Sequence, residues 1–140
     1  MSHISRIEID INDLGCLRKA CQRLDLLFME GQRTYRWYGR LVQPEKTPLP
    51  EGLTQDDLGR CHHAIKVPGA EYEIGVYQQG QKYLLLADFW DSKLKLKIGV
   101  GGGLLKQAYA VERTVSEARR RNYRVTVQKS ENGIRLILTA

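Results

Sequence analysis

The chain has 140 residues, 42% hydrophobic and 27% charged, with a formal net charge of +6. That length fits one domain spanning residues 1–140, large enough to bury a real core. The composition excludes a collagen period, a membrane span of about 20 apolar residues, and disorder. Three cysteines make an odd count, which argues against a disulfide framework. The opening MSHISRIEID enters a strand-like pattern with no secretory signal, so a soluble cytoplasmic protein is expected.

The charge is uneven. Residues 1–70 hold 10 Lys+Arg against 9 Asp+Glu, whereas residues 71–140 hold 12 against 7. From Lys93 onward, 11 basic residues face only Glu112, Glu117 and Glu131. Such an excess draws phosphates, acidic proteins or anionic headgroups, or serves only as a solvated surface.

Arg6–Ile11 alternates polar and apolar, the pattern of a half-buried strand. Asn12 or Asp13 then caps a helix predicted to run to Phe28, with Leu14, Leu17, Cys21, Leu24 and Phe28 on one face and Gly31 as its stop. Thr34–Val42 reads as a second strand, with Tyr35, Trp37, Gly39 and Leu41 on one side and Arg36, Tyr38 and Arg40 on the other. Gln43–Arg60, with Pro44, Pro48, Pro50, Gly52 and Gly59, reads as a long loop with a helical turn at Thr54–Leu58. A loop this long in a compact domain is either functional or a surface insertion.

His62–Val67, Glu71–Tyr77 and Lys82–Asp88 follow as strands, separated by turns at Pro68-Gly69 and Gln79-Gly80. Tyr83–Ala87 is apolar on both faces, as expected of a central strand covered on both sides or of one near the sheet's centre. Phe89–Lys97 has no single reading, since Lys93, Lys95 and Lys97 alternate with Leu94, Leu96 and Ile98. Leu104–Asn122 is the clearest helix: Leu104, Ala108, Val111, Val115 and Ala118 form an apolar stripe, with Lys106, Arg113 and Arg120 on the opposite side. Tyr123–Gln128 and Ile134–Leu138 then form a hairpin turning at Ser130-Glu131-Asn132-Gly133, with Asn-Gly as the local signal. This order predicts an α+β fold: a mainly antiparallel sheet with two helices packed on one face, in an order that fits a βαββ pseudo-duplication.

Several residues invite chemistry. Cys61, His62 and His63, with His3, Cys16 and Cys21, are metal-ligating or thiol-chemistry types, but the close pairs of zinc sites, C-x2-C or H-x3-H, do not occur. Cys21 falls in an apolar stripe, and a core role suits it better. Gly101, Gly102 and Gly103 precede the long helix, where glycines can bring backbone N–H groups to an anion; neither the Walker pattern nor G-x-G-x-x-G is completed. Asp56-Asp57 and Asp88 with Asp91 are carboxylate pairs, better explained as solvated groups and turn or helix acceptors.

A sheet face left open by the helices would carry Arg36, Tyr38, Arg40, Tyr77, Arg124, Thr126 and Arg135. Aromatics beside arginines suit single-stranded RNA or DNA, and equally a protein partner anchored on Trp37, Tyr38 and Trp90. No RNP stretch is present, and protein contact is the favoured reading. The basic stripe Lys106, Arg113 and Arg120 is the other candidate binding surface. No cofactor is expected.

Met1-Ser2-His3-Ile4-Ser5, Tyr72-Glu73-Ile74-Gly75-Val76, Gly80-Gln81-Lys82-Tyr83, Ala87-Asp88 with Trp90, Gln107-Ala108-Tyr109-Ala110 and Asn132-Gly133-Ile134-Arg135-Leu136 occur in that order. This series resembles the uncharacterised domain family that includes hypothetical chloroplast reading frame thirty-five and its bacterial relatives. The Gln43–Arg60 loop and the Gly99–Gly103 run depart from it. The resemblance implies no known activity, catalytic residue or cofactor. It implies a soluble stromal or cytoplasmic protein, and membership of a complex, with an AAA-type ATPase among the possible partners. His3, Asp88, Trp90, Tyr109 and Arg135 are the shared positions, with Asp88 and Arg135 as a conceivable pair and Tyr109 at a sheet–helix seam.

Overall fold

A computed structural model describes residues 4–131 and 133–140; the expectations placed on His3 and Asn132 lie outside the described residues. The fold is α+β. Strands β1 (Ile4–Arg6), β2 (Leu27–Met29), β3 (His63–Lys66), β4 (Ile74–Gln79) and β5 (Lys82–Asp88) form one sheet in the order β1-β5-β4-β3-β2. Every neighbouring pair is antiparallel. The two edge strands, β1 and β2, therefore run parallel, and helix α1 (Leu14–Arg23) is the crossover that carries the chain from one edge to the other. Helices α2 (Ser92–Ile98) and α3 (Gly103–Arg120) follow, then β6 (Arg124–Ser130) and β7 (Gly133–Thr139), which pair only with each other. No helix among the described residues is long and apolar enough to cross a membrane.

The two-residue period of the strands divides the core in two. Ile65, Ile74, Val76, Leu85 and Ala87 point one way and pack with Leu17 and Ala20 of α1, Leu94 and Ile98 of α2, and Leu105 and Tyr109 of α3. Ala64, Tyr77, Leu84 and Leu86 point the other way, into a second cluster with Tyr35, Leu58 and Cys61, flanked by Trp37, Leu41, Leu49 and Leu53. The doubly apolar β5 is thus covered on both faces, as its sequence requires.

This second cluster overturns two expectations. Thr34–Val42 is not a sheet strand; only Thr34 makes a bridge, to Arg60, and the Tyr35 N–H donates to the Gly59 carbonyl at 3.0 Å. The sheet face opposite the helices is also closed, because residues 34–61 lie across it. The long loop is therefore core material: it supplies apolar side chains and contains 3-10 turns at Pro44–Lys46 and Gln55–Asp57. Asp57 is a cap, accepting the Thr54 N–H at 2.8 Å.

The first helix caps as expected, with Asp13 Oδ1 accepting the Cys16 N–H at 2.9 Å, but stops at Arg23. Asp25 turns the chain with φ 56°, so Leu27–Met29 leave the helix and gain ladder bonds with β3. Gly31 is not the helix stop. The ambiguous Phe89–Lys97 segment resolves as α2, because Asp91 accepts the N–H groups of Lys93 and Leu94 at 3.0 and 3.3 Å. Among the described residues there are thus three α-helices, where two are expected. A βαββ doubling does not describe the topology, since the strands after α3 form their own sheet instead of repeating the placement of β2 and β3.

Candidate functional site

A convergence of exposed aromatic and cationic groups sits at the end of β5. Asp88, the last residue of that strand, is fully buried. Its Oδ2 accepts the Tyr38 N–H at 3.2 Å and its Oδ1 accepts the Trp90 N–H at 3.1 Å. One carboxylate thus fixes two segments that are far apart in sequence. Tyr38 and Trp90 are 36% and 51% exposed, and the Arg40 guanidinium stands 5.8 Å from the Tyr38 ring centroid, within cation–π range.

A second buried carboxylate secures the same segment. Glu73 Oε1 accepts the Arg36 N–H at 2.8 Å, the Glu73 N–H donates to the Arg36 carbonyl at 2.9 Å, and the Arg36 guanidinium lies 3.8 Å from Glu73. Asp91, beside Trp90, accepts the N–H groups of Glu71 and Tyr72 at 2.7 and 2.9 Å in addition to capping α2. Burial pushes its carboxyl up, but the four backbone donors outweigh that and hold it below the ordinary 3.8.

The open sheet face that would have united Arg36, Tyr38, Arg40, Tyr77, Arg124, Thr126 and Arg135 does not exist. Tyr77 is buried, its hydroxyl 2.8 Å from that of Tyr35 and donating to the Asp57 carbonyl at 2.9 Å. Arg124, Thr126 and Arg135 are exposed on the separate β6–β7 sheet, where Arg135 faces Gln128. Arg36, Tyr38, Arg40 and Trp90 do gather; the others do not.

Cys61, His62 and His63 are each engaged elsewhere. The Cys61 thiol donates to the Gln32 carbonyl at 3.2 Å and burial pushes it up to about 11, the wrong direction for a nucleophile. His62 Nδ1 accepts the Gln78 N–H, and His63 Nδ1 accepts the Gly31 N–H, both at 2.9 Å. Among the described residues no three His, Cys, Asp or Glu side chains are grouped to hold a metal. Cys21 is core, as its stripe predicts.

The glycine run before α3 serves packing. A Cβ at Gly102, which has φ +78°, would lie 2.7 Å from Ile7 Cγ2, so this position admits the Ile7 side chain, just after β1, against the α2–α3 turn. Gly101 and Gly103 face open space, and no side chain caps the helix.

The basic stripe is only partly free. Arg113 is half-buried and lies 3.3 Å from Asp13, Lys106 is half-buried, and Arg120 is exposed. Leu104, expected in the core, is 44% exposed, and Leu105 is buried in its place. Tyr109 does sit at a seam: its hydroxyl accepts the N–H groups of Asn12 and Asp13 at 3.1 and 3.2 Å, tying α3 to the start of α1. Sequence reasoning missed Glu73, whose only signal was an acidic residue in the middle of an apolar strand pattern.

Comparison of the chain with protein-family models, curated proteins and solved structures yields no match.

Proposed function

We propose that this chain is a non-enzymatic accessory or assembly protein that binds a protein partner through the Tyr38–Arg40–Trp90 patch. The observation that carries this reading is the Asp88 carboxylate holding the backbones of Tyr38 and Trp90 side by side. Tyr, Arg and Trp are the side chains that dominate binding energy at protein interfaces, and anchors fixed before binding lose little entropy on association. A nucleic acid suits this patch poorly: the carboxylates of Glu73, Asp88 and Asp91 lie beside it and oppose a phosphate backbone. The resemblance adds a complex containing an AAA-type ATPase as the partner to seek first.

Affinity purification of the full chain, in parallel with Trp90→Ala and Tyr38→Ala, tests the reading. A protein recovered with the parent and lost with both variants supports it, provided thermal melting shows the variants folded. Equal recovery with all three, or recovery of the chain alone, counts against it.

A further inference from the structure

We propose that the C-terminal half of α3 and the open end of the β6–β7 hairpin receive an acidic polypeptide segment bearing one apolar anchor. This surface is separate from the Tyr38–Trp90 patch. A cleft of about 510 Å³ lies between the helix and the hairpin, lined by Ala118, Tyr123 and Leu138 together with Arg113, Thr114, Glu117 and Arg121. Tyr123 and Leu138 are 40% and 45% exposed, so the cleft presents apolar surface to solvent.

The surroundings are cationic. Residues 119–124 read Arg-Arg-Arg-Asn-Tyr-Arg, and all are exposed. A single carboxylate, Glu117, serves both Arg120 at 3.9 Å and Arg121 at 3.3 Å, and among the described residues no carboxylate pairs with Arg119 or Arg124. Arg113 also borders a second cleft of about 520 Å³, where it, Lys82 and Arg120 face one carboxylate, Asp13. The cationic surface therefore continues across the helix, and an extended ligand can follow it.

Charge and shape select the occupant. A second copy of the chain would bring the same arginines and be repelled. Single-stranded nucleic acid binds over successive aromatic platforms, whereas Tyr123 is the one aromatic lining this cleft. The apolar walls are concave, suited to one inserted side chain rather than to a flat lipid surface. An acidic segment fits: its anchor enters between Ala118, Tyr123 and Leu138, and its carboxylates replace weak, exposed pairs at Arg120 and Arg121.

The test uses a fluorescein-labelled synthetic peptide with one Phe followed by a run of Glu, read by anisotropy on the full chain at low and moderate salt. Saturable binding is expected. Replacing Phe by Ala should weaken it about tenfold, the loss of one buried anchor. Replacing Glu by Gln should abolish it. Arg121→Glu with Arg124→Glu, both exposed positions, should remove binding while leaving the melting temperature unchanged, and Leu138→Ser should reproduce the loss of the anchor. Trp90→Ala should leave the peptide affinity intact, which separates this surface from the proposed partner patch. The proposal is overturned by no binding at low salt, by equal affinity for the Ala peptide, or by tighter binding of an oligouridylate.

Discussion

Gly75→Ala tests the closed second face of the sheet directly. Gly75 lies in β4 with its missing side chain directed at Tyr35. A Cβ there would stand 2.3 Å from Tyr35 Cε1, 2.6 Å from Cδ1 and 2.8 Å from Cζ. The ring cannot yield freely, because its hydroxyl is 2.8 Å from that of Tyr77 and the two rings meet edge to face at 6.1 Å. Overpacking of this kind costs about 1–3 kcal/mol, and displacing the ring adds about 1 kcal/mol for the hydrogen bond. The expected loss is about 2–4 kcal/mol. At about 4 °C per kcal/mol for a domain of this size, the melting temperature should fall by about 8–16 °C. Urea unfolding should show a lower midpoint at unchanged slope. The sign is diagnostic, since Gly→Ala at an unhindered position stabilises by about 0.4–1 kcal/mol through the unfolded chain. In a Tyr35→Ala background the new methyl enters vacated space, so the same change should cost little or stabilise, giving a large coupling in the double-mutant cycle. If Gly75→Ala is neutral or stabilising in the parent, or costs the same in both backgrounds, Tyr35 does not cover this strand and the reasoning fails.

Tyr109→Phe removes the acceptor of two backbone N–H groups and should cost about 1–3 kcal/mol in urea unfolding, with the start of α1 losing amide protection first. Acidification should destabilise the protein in two stages. Burial, set against the opposing charge of Glu30, lowers His63 below 6.5, so its contribution is full above pH 6.5 and is lost as pH falls through the folded value; His63→Gln should flatten that stage. Asp13, held down chiefly by the Cys16 N–H, and Asp91 both sit below 3.8, so theirs is full above that pH and is lost below it. Thiol titration at pH 8 should find Cys21 and Cys61 slow to react in the native protein and fast in urea, because burial pushes them up to about 12 and about 11. Hydrogen exchange should show the amides of β6 and β7 opening before those of β4 and β5, since a two-stranded hairpin is marginal alone.

What the sequence disclosed depended on how local the signal was. The Asp13 cap, the alternation in Glu71–Tyr77, the doubly apolar Tyr83–Ala87 and the pairing of Tyr123–Gln128 with Ile134–Leu138 rest on neighbours a few residues apart, and the structure holds each element. Leu27–Met29 was misassigned because its helical spacing and its strand pairing are both satisfiable locally; the ladder with β3, some 40 residues on, decides between them. Thr34–Val42 alternates as a strand does, yet its bonds go to Gly59, Glu73 and Asp88, partners that no local pattern identifies. A strand apolar on both faces cannot belong to a sheet with one face open, and the stretch at 34–61, with Tyr35, Trp37, Leu41, Leu49, Leu53 and Leu58, is what covers the second face.

The long helix explains why the hairpin stands apart and why the clefts beside it exist. Around α3, taking Leu105 as zero, Ala108, Tyr109 and Glu112 fall within about 60°, and Val111, Val115 and Ala118 fall beyond that on one side, between about 80° and 140°. Leu105, Ala108 and Tyr109 belong to the core shared with the sheet, and Glu112 pairs with Arg23 of α1. Val111, Val115 and Ala118 are buried yet lie outside both core clusters. Clefts lined by Ala118 with Leu138, and by Leu104 and Ala108 with Ile134, place the hairpin along this second arc. The apolar stripe visible in the sequence is therefore largely the hairpin's seat, not the sheet's. A helix buried over two adjoining arcs must be covered by two layers, and a hairpin only seven residues long on each strand cannot cover the helix to its ends. Where the cover runs out, Tyr123 and Leu138 meet solvent beside four arginines, so the uncovered end of the seat and the basic cluster are consequences of one packing arrangement.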